Sequence, residues 1–216
     1  MLLNSMTKLN KKLTDTSTEE QVLKAAEKIF LSKGYSAAKT VEIADEAGVN
    51  HALLHYYFRT KENLFKRVFM QKIEIFIKSF RAVFFQNLPF FDLVKQLVET
   101  QFDFLEKNDK LPYFLIQEII ACDEHRNMFL ELFSPTFAGC ITQLDTLLKQ
   151  EIEKGTIRNI RAIDLMLTIS SLNVFFFIIR PAGAFFPDEV FEKHIENVLQ
   201  NRKEVHVEII FQWMKK

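Results

Sequence analysis

The chain has 216 residues and carries 28 Lys and Arg against 28 Asp and Glu, a formal charge of zero that argues against coating nucleic acid by bulk electrostatics and allows a local basic surface. Apolar residues make up 48%, only 5 Gly and 5 Pro occur, and hydrophobic runs recur at helical spacing, which favours an all-α protein over a sandwich or an α/β fold. The length suits a small head joined to a larger body as well as one compact unit, and either buries a substantial core.

The charge is uneven. Residues 1–70 hold 11 Lys and Arg against 8 Asp and Glu, a net of +3, and the remainder holds 17 against 20. Cys122 and Cys140 share no metal-ligand or redox spacing and read as reduced thiols, which suits a cytoplasmic protein. The first residues lack the apolar stretch of a signal peptide. Nothing later is expected to approach the ~20 uninterrupted apolar residues of a membrane span, the longest such run being Val174 to Ile179.

Residues 1–17 read as a flexible basic N-terminal arm. Ser17-Thr18-Glu19-Glu20 has the spacing of a capping box and predicts a helix from about Thr18 to Lys33, whose apolar face is Val22, Ala25, Ala26, Ile29 and Phe30, with Gly34 as its stop. Thr40 is placed to cap a short second helix with Val41, Ile43, Ala44 and Ala47 inward, ended by Gly48. Val49 plugs the turn, Asn50 caps a third helix barely two turns long, and Leu54 and Phe58 continue its buried face. Thr60 caps a long fourth helix carried by Leu64, Phe65, Val68, Phe69, Ile73 and Phe76 towards Phe84.

The body begins near Pro89, with Phe91, Val94, Leu97, Val98, Phe102 and Leu105 as an apolar face, and Pro112 opens another helix. A segment from about Asn127 to Lys154 contains Pro135, which is expected to kink or split it. Ala162 to Ile179 and Asp188 to Trp213 read as two strongly apolar helices. The domain reading is an arm at 1–17, a helix-turn-helix head at 18–66 and a helical body at 67–216.

A short helix, a glycine turn and a second short helix, braced by a helix before them, place a recognition helix in the major groove, whose width of about 12 Å admits one helix. Val49, Leu54 and Phe58 anchor that helix, leaving His51, Ala52, Leu53, His55 and Tyr56 outward. An exposed Leu or Ala meets a thymine methyl, and a His bonds a base edge or a phosphate. His51 and His55 lie four residues apart, yet no third metal ligand is near, so no metal site is read there.

Val22-Leu23-Lys24-Ala25-Ala26-Glu27-Lys28-Ile29-Phe30, Lys33-Gly34-Tyr35, Thr40, Ile43-Ala44, Ala47-Gly48-Val49, Tyr57-Phe58 and Lys61-Glu62-Asn63-Leu64 occur in an order that resembles the head of a TetR-family regulator, over roughly residues 18–70. The resemblance implies phosphate contacts at Thr40 and Lys61, where a helix N-terminus offers free amides to an anion. It places His51, Ala52, Leu53, His55, Tyr56 and Tyr57 on the recognition helix, and Lys39 and Asn50 complete the expected DNA-contact set. Ala52 stands where glycine is frequent and His55 where tyrosine is usual.

The resemblance further implies an effector pocket in the body and a homodimer built from the last two helices. Phe102, Phe104, Phe114, Phe137 and Phe175 are candidate pocket walls, each equally assignable to packing, with Gln117, Asn173 or His125 as polar groups. Leu172, Phe176, Ile195, Val198, Leu199 and Ile209 are candidate interface residues. A two-fold dimer also suits a short recognition helix, since two heads read a palindrome. The expected function is a ligand-responsive regulator, a repressor released from double-stranded operator DNA by a small, largely apolar or aromatic effector, with no cofactor. The rival is a helical carrier of lipids or an interaction module; an enzyme is disfavoured because no nucleophile elbow, phosphate-binding glycine loop or paired metal ligands occur.

Overall fold

A computed structural model describes residues 2–179 and 188–216, with side chains described over 18–79, 81–179, 198 and 201–216. The described elements are all helices: α1 Leu2–Ala37, α2 Thr40–Ala47, α3 His51–Phe58, α4 Lys61–Phe84, α5 Phe90–Lys107, α6 Leu111–Ala121, α7 Asp123–Glu153, α8 Ala162–Ile179 and α9 Asp188–Met214.

α1 corrects two expectations at once. It begins at Leu2, so residues 2–17 are helical rather than an irregular arm, and the capping-box spacing at Ser17 lies inside the helix. No Gly or Pro interrupts residues 2–33, and Leu, Met, Lys and Glu carry the helix through. At the other end Gly34 does break the geometry, with φ 73 and ψ 173, before a last turn to Ala37. That backbone conformation is open to glycine and strained for other residues.

The head is built on helix ends whose chemistry is local. Gly48 closes α2 in the left-handed region at φ 66, and its amide reaches back to the last turn. The Asn50 side chain accepts from the Ala52 amide at 2.7 Å and starts α3, and Thr60 accepts from the Asn63 amide at 3.1 Å and starts α4. Lys39, not Thr40, occupies the N-cap of α2 and contributes no side-chain cap. Val41 is 54% exposed, against the inward position expected of it, because Ile43 and Ala44 already fill the buried face of this two-turn helix.

The core does not respect the boundary expected between residues 66 and 67. Val22, Phe30, Ile43, Leu54 and Phe65 of the head pack in one cluster with Phe69, beyond the boundary on α4, and with Leu111, Phe114 and Leu115 of α6. α4 runs through that boundary and is common to head and body. A second cluster holds the body together, drawing on α5, α7, α8 and α9 through residues such as Val94, Leu97, Leu144, Leu165, Ile169 and Ile210.

α7 continues through Pro135 as a single helix of 31 residues rather than splitting. The side chains flanking the proline explain this: Phe129, Phe133 and Phe137 stack in sequence at centroid spacings of 4.9 and 5.0 Å, bracing the turns on both sides of the missing backbone bond. α8, at 18 residues, is long and apolar enough to cross a membrane by length and composition alone, although polar residues interrupt it and it packs into the body along Leu165, Met166, Ile169, Asn173 and Phe177.

Phe65 is fully buried where the head meets α6, touching the rings of Phe30, Tyr35, Phe69 and Phe114. Phe65→Ala is expected to lower the unfolding free energy by about 3–5 kcal/mol in a denaturant titration. A loss below about 1 kcal/mol, the scale of a surface substitution, would mean that the shared core does not hold the two parts together.

Candidate nucleic-acid interface and body cavity

The Gly48 turn and the Asn50 cap set α3 against α2, and Leu54 and Phe58 pin it to the core at 0% and 7% exposure. The opposite face is then forced outward: Ala52, Leu53, His55 and Tyr56 are exposed, Tyr56 by 75%. This is the outward face the sequence predicted, with one refinement. His51 is half-buried, and its Nε2 lies 2.9 Å from the Thr40 hydroxyl, so it ties the first turn of α3 to the first turn of α2. Tyr57, which the resemblance places on this helix, is half-buried against the core.

His55 has a defined proton arrangement. Its Nδ1 lies 2.8 Å from the Arg59 carbonyl, which only accepts, so Nδ1 carries the hydrogen and Nε2 faces outward as an acceptor while the ring is neutral. The His51 and His55 rings meet edge to face at 4.5 Å. Among the described residues no set of three or more His, Cys, Asp or Glu is placed to hold a metal ion.

Basic groups flank this face. Lys39 is exposed at the open N-terminus of α2, where the amides of the first turn have no side-chain cap. Lys61 starts α4 and is half-buried: its Nζ donates to the Ser36 carbonyl at 3.3 Å and sits 4.5 Å from the centre of the Tyr35 ring. Burial holds its pKa below the ordinary lysine value, and Glu118 partly opposes that. Arg59, which the sequence reading did not select, closes α3 at φ 61 with its side chain exposed. Its position directly after α3 was the available signal.

The head is joined to the body at the α1 kink. Glu118 of α6 is 4% exposed; one carboxylate oxygen accepts from the Tyr35 amide at 2.7 Å and the other lies 3.1 Å from Nδ1 of His125 on α7. Gly34 permits the approach, since a Cβ there would stand 3.1 Å from the Gln117 amide and 3.3 Å from the Glu118 carboxylate. Lys66 of α4 bridges Glu62 and Glu124 at 2.7 and 2.6 Å, adding an exposed tie to α7.

α4 to α8 line a two-part apolar cavity that is partly open to the surface beside Ile116. The larger part, about 200 Å³, is lined by α5, α6, α7 and α8 residues including Leu105, Leu115, Ile119 and Phe129, and the smaller, about 40 Å³, includes Phe137, Cys140 and Met166. Phe76, Phe133 and Ser170 line both. Among the expected wall residues, Phe137 lines the cavity. Phe102 and Phe114 are packed in core clusters, and Phe104 packs on Phe76 from outside the lining. Gln117 is exposed beside Gly34, His125 belongs to the Glu118 junction, and Phe175 is 61% exposed. Gln101 and Ser170, which the sequence reading passed over, are the polar groups of the larger part.

Asn173 lies behind the cavity, fully buried, in a chain of hydrogen bonds. Arg202 Nε donates to His206 Nε2 at 2.8 Å, His206 Nδ1 lies 2.6 Å from Asn173 Oδ1, and Asn173 Nδ2 donates to the Val98 carbonyl and to Gln101 Oε1, each at 3.0 Å. Gln101 Nε2 then donates to Ser170 Oγ at 3.3 Å. Burial, helped by the Arg202 charge, pushes His206 down to about 4 from an ordinary 6.5.

The neutral imidazole is therefore the form the fold prefers. Its contribution to stability is complete above pH 6.5 and is lost as pH falls towards about 4. Urea midpoints measured across that window are expected to fall more steeply in the native chain than in His206→Asn; parallel curves would show that His206 is not held neutral by burial.

Residues 22–68 match the family model described as bacterial regulatory proteins, tetR family. The transcriptional activator FasR of Mycolicibacterium smegmatis is 34% identical over 98 residues, covering 45% of this chain and 44% of its own. The matched stretch spans about half the length of the first curated relatives, 44%, 50% and 51%. Among solved structures, HlyIIR, a hemolysin II transcriptional regulator, is 25% identical with a TM-score of 0.58 over 94% of this chain and 99% of that one. The ketosteroid transcriptional regulator KstR2 of Mycobacterium tuberculosis is 17% identical with a TM-score of 0.69 over 92% and 95%, a likeness of fold. The head at residues 22–68 is thus similar to the tetR family of bacterial regulatory proteins, and the helical fold behind it resembles that of HlyIIR.

Proposed function

We propose that the chain is a DNA-binding transcriptional regulator whose grip on a palindromic operator responds to a small apolar effector, and that it acts as a homodimer in the cytoplasm. The observation that carries the reading is the exposed face of α3, with Ala52, Leu53, His55 and Tyr56 held outward by a capped, glycine-turned pair of helices. Lys39, Thr40 and Lys61 stand at helix N-termini beside it and supply phosphate contacts, while Asn50 and His51 position α3.

A dimer surface is supported on α8 and α9. Leu167, Phe175 and Ile179 are exposed at multiples of four residues along α8, and Val198, Val205 and Ile209 are exposed on α9. Two of the expected interface residues, Val198 and Ile209, are in this set. Phe176 is 8% exposed and stacks on Phe102 inside the chain, so Phe175 takes its place at the surface; Leu172 is half-buried in the body core. Ile195 and Leu199 lie outside the residues whose side chains are described.

α6 supports a route from effector to operator. Leu111, Pro112, Leu115, Ile116 and Ile119 face the cavity, while Glu118 on the same helix holds the Tyr35 amide of the head. A ligand that displaces α6 tilts the head, provided that it binds the released arrangement more tightly. In this proposal the moving element is α6 together with α4.

Gel-shift titration against the chain's own upstream DNA tests the reading. Tight binding that weakens steeply with salt is expected, with Lys61→Ala lowering the log–log slope by about 1 for all sequences. Tyr56→Ala is expected to reduce discrimination between sites without altering the slope. Weak binding that ignores sequence would overturn the proposal. Glu118→Gln is expected to shrink the ligand-induced change in operator affinity, typically about 5–150-fold for such coupling, while ligand binding persists; a full response in that variant would remove Glu118 from the route.

A further inference from the structure

The buried hydrogen-bond chain behind the cavity has a direction, and it can be read from one fixed point. The Val98 carbonyl can only accept, so the amide nitrogen of Asn173 faces it and Asn173 Oδ1 faces His206. His206 must then donate from Nδ1, leaving Nε2 bare to accept from Arg202. The second hydrogen of Asn173 goes to Gln101 Oε1, which turns the Gln101 amide nitrogen towards Ser170 Oγ. Each donor in the series points the same way, from α9 towards the cavity. Ser170 receives a hydrogen bond, and its own hydroxyl proton is the one left to offer to whatever lies against it.

The cavity walls limit what that is. Among the described residues, neither part of the lining contains Lys, Arg, His, Asp or Glu. A carboxylate or phosphate drawn into the larger part would lose hydration with no cation in that lining to offset the loss, which is costly for an ion in an apolar site. A neutral acceptor such as a carbonyl oxygen loses far less water and recovers it in one bond from the Ser170 hydroxyl. Most of such a molecule would meet hydrocarbon and ring surface, from Leu105, Leu115, Ile119, Phe129 and Phe133.

From this directed chain and uncharged lining we infer that the effector is a neutral, largely apolar molecule carrying a hydrogen-bond acceptor, seated with that acceptor on the Ser170 hydroxyl, and that an ionised acid is excluded. Gln101 is a positioning residue: it fixes the Ser170 lone pairs so that the hydroxyl proton points away from it. The inference rests on the cavity being the effector site, as proposed above, and adds the chemistry of the ligand it selects. Because Asn173 sits on α8 and His206 and Arg202 on α9, the same bonds connect the acceptor's seat to the helices that carry the exposed dimer stripe.

Calorimetric titration of the full chain with three probes tests this: butylbenzene, butyrophenone and phenylbutyrate, at pH 8 where the last is ionised. Butylbenzene and butyrophenone are expected to bind, and phenylbutyrate to bind more weakly than either. Ser170→Ala is expected to weaken butyrophenone about tenfold, the scale of leaving a buried carbonyl without its donor, while butylbenzene is unchanged. Ser170→Thr, which keeps the hydroxyl, is expected to restore the ketone. Equal effects of Ser170→Ala on both neutral probes, or phenylbutyrate binding as tightly as butyrophenone, would overturn the ligand class and leave the cavity as an effector site. Binding of none of the three would overturn the cavity itself and this inference with it.

Discussion

One buried carboxylate holds the two working parts of this molecule in register. Glu118 is nearly sealed from solvent, and its two oxygens serve different masters, the Tyr35 amide on the head side and His125 on the body side. A carboxylate in such a place is costly unless both oxygens are satisfied, so the junction has little tolerance for partial arrangements. Gly34 is what lets α1 come close enough, and the kink that it makes is what frees the Tyr35 amide from helical bonding. The aromatic cluster of Phe30, Phe65, Phe69 and Phe114 then closes around the contact and keeps water out.

That constraint gives α6 its significance. It is a short helix with the cavity along one side and Glu118 on the turn that meets the head, so displacement at the cavity cannot stay local. The described body packs more like a set of wedges than a rigid barrel: the rings of Phe129, Phe133 and Phe137 brace α7 across its proline, leaving α6 flanked by the cavity on one face and by the junction on the other.

The head was legible from the sequence because its signals are local. Asn50 and Thr60 cap where their spacing said they would, Gly48 turns the chain in the left-handed region, and Leu54 and Phe58 bury at a four-residue interval. The start of α1 was misread because a capping-box spacing states what a helix start can use, and nothing at Ser17 stops a helix already under way. Val41 was misplaced because a helix of two turns has no room for a fourth buried position.

The body was less legible, for a different physical reason. α8 is apolar on nearly every side, so its sequence carries no phase, and Phe175 and Phe176 were assigned to each other's surroundings, one residue and about 100° apart. The polar groups of the cavity's larger part, Gln101 and Ser170, lie 69 residues apart in sequence and meet only through packing. Glu118 was invisible for the same reason: its partners are the backbone amide 83 residues earlier and a histidine on the next helix.

Hydrogen exchange at the Tyr35 amide tests the central claim most directly, since that amide is the head's end of the Glu118 contact. With butyrophenone bound in the cavity its exchange is expected to quicken while amides in the middle of α5 stay protected, as α6 moves and Glu118 releases the head. Unchanged protection at Tyr35 under conditions where the same ligand releases operator DNA would contradict the account, because the signal would then reach the head without passing through α6.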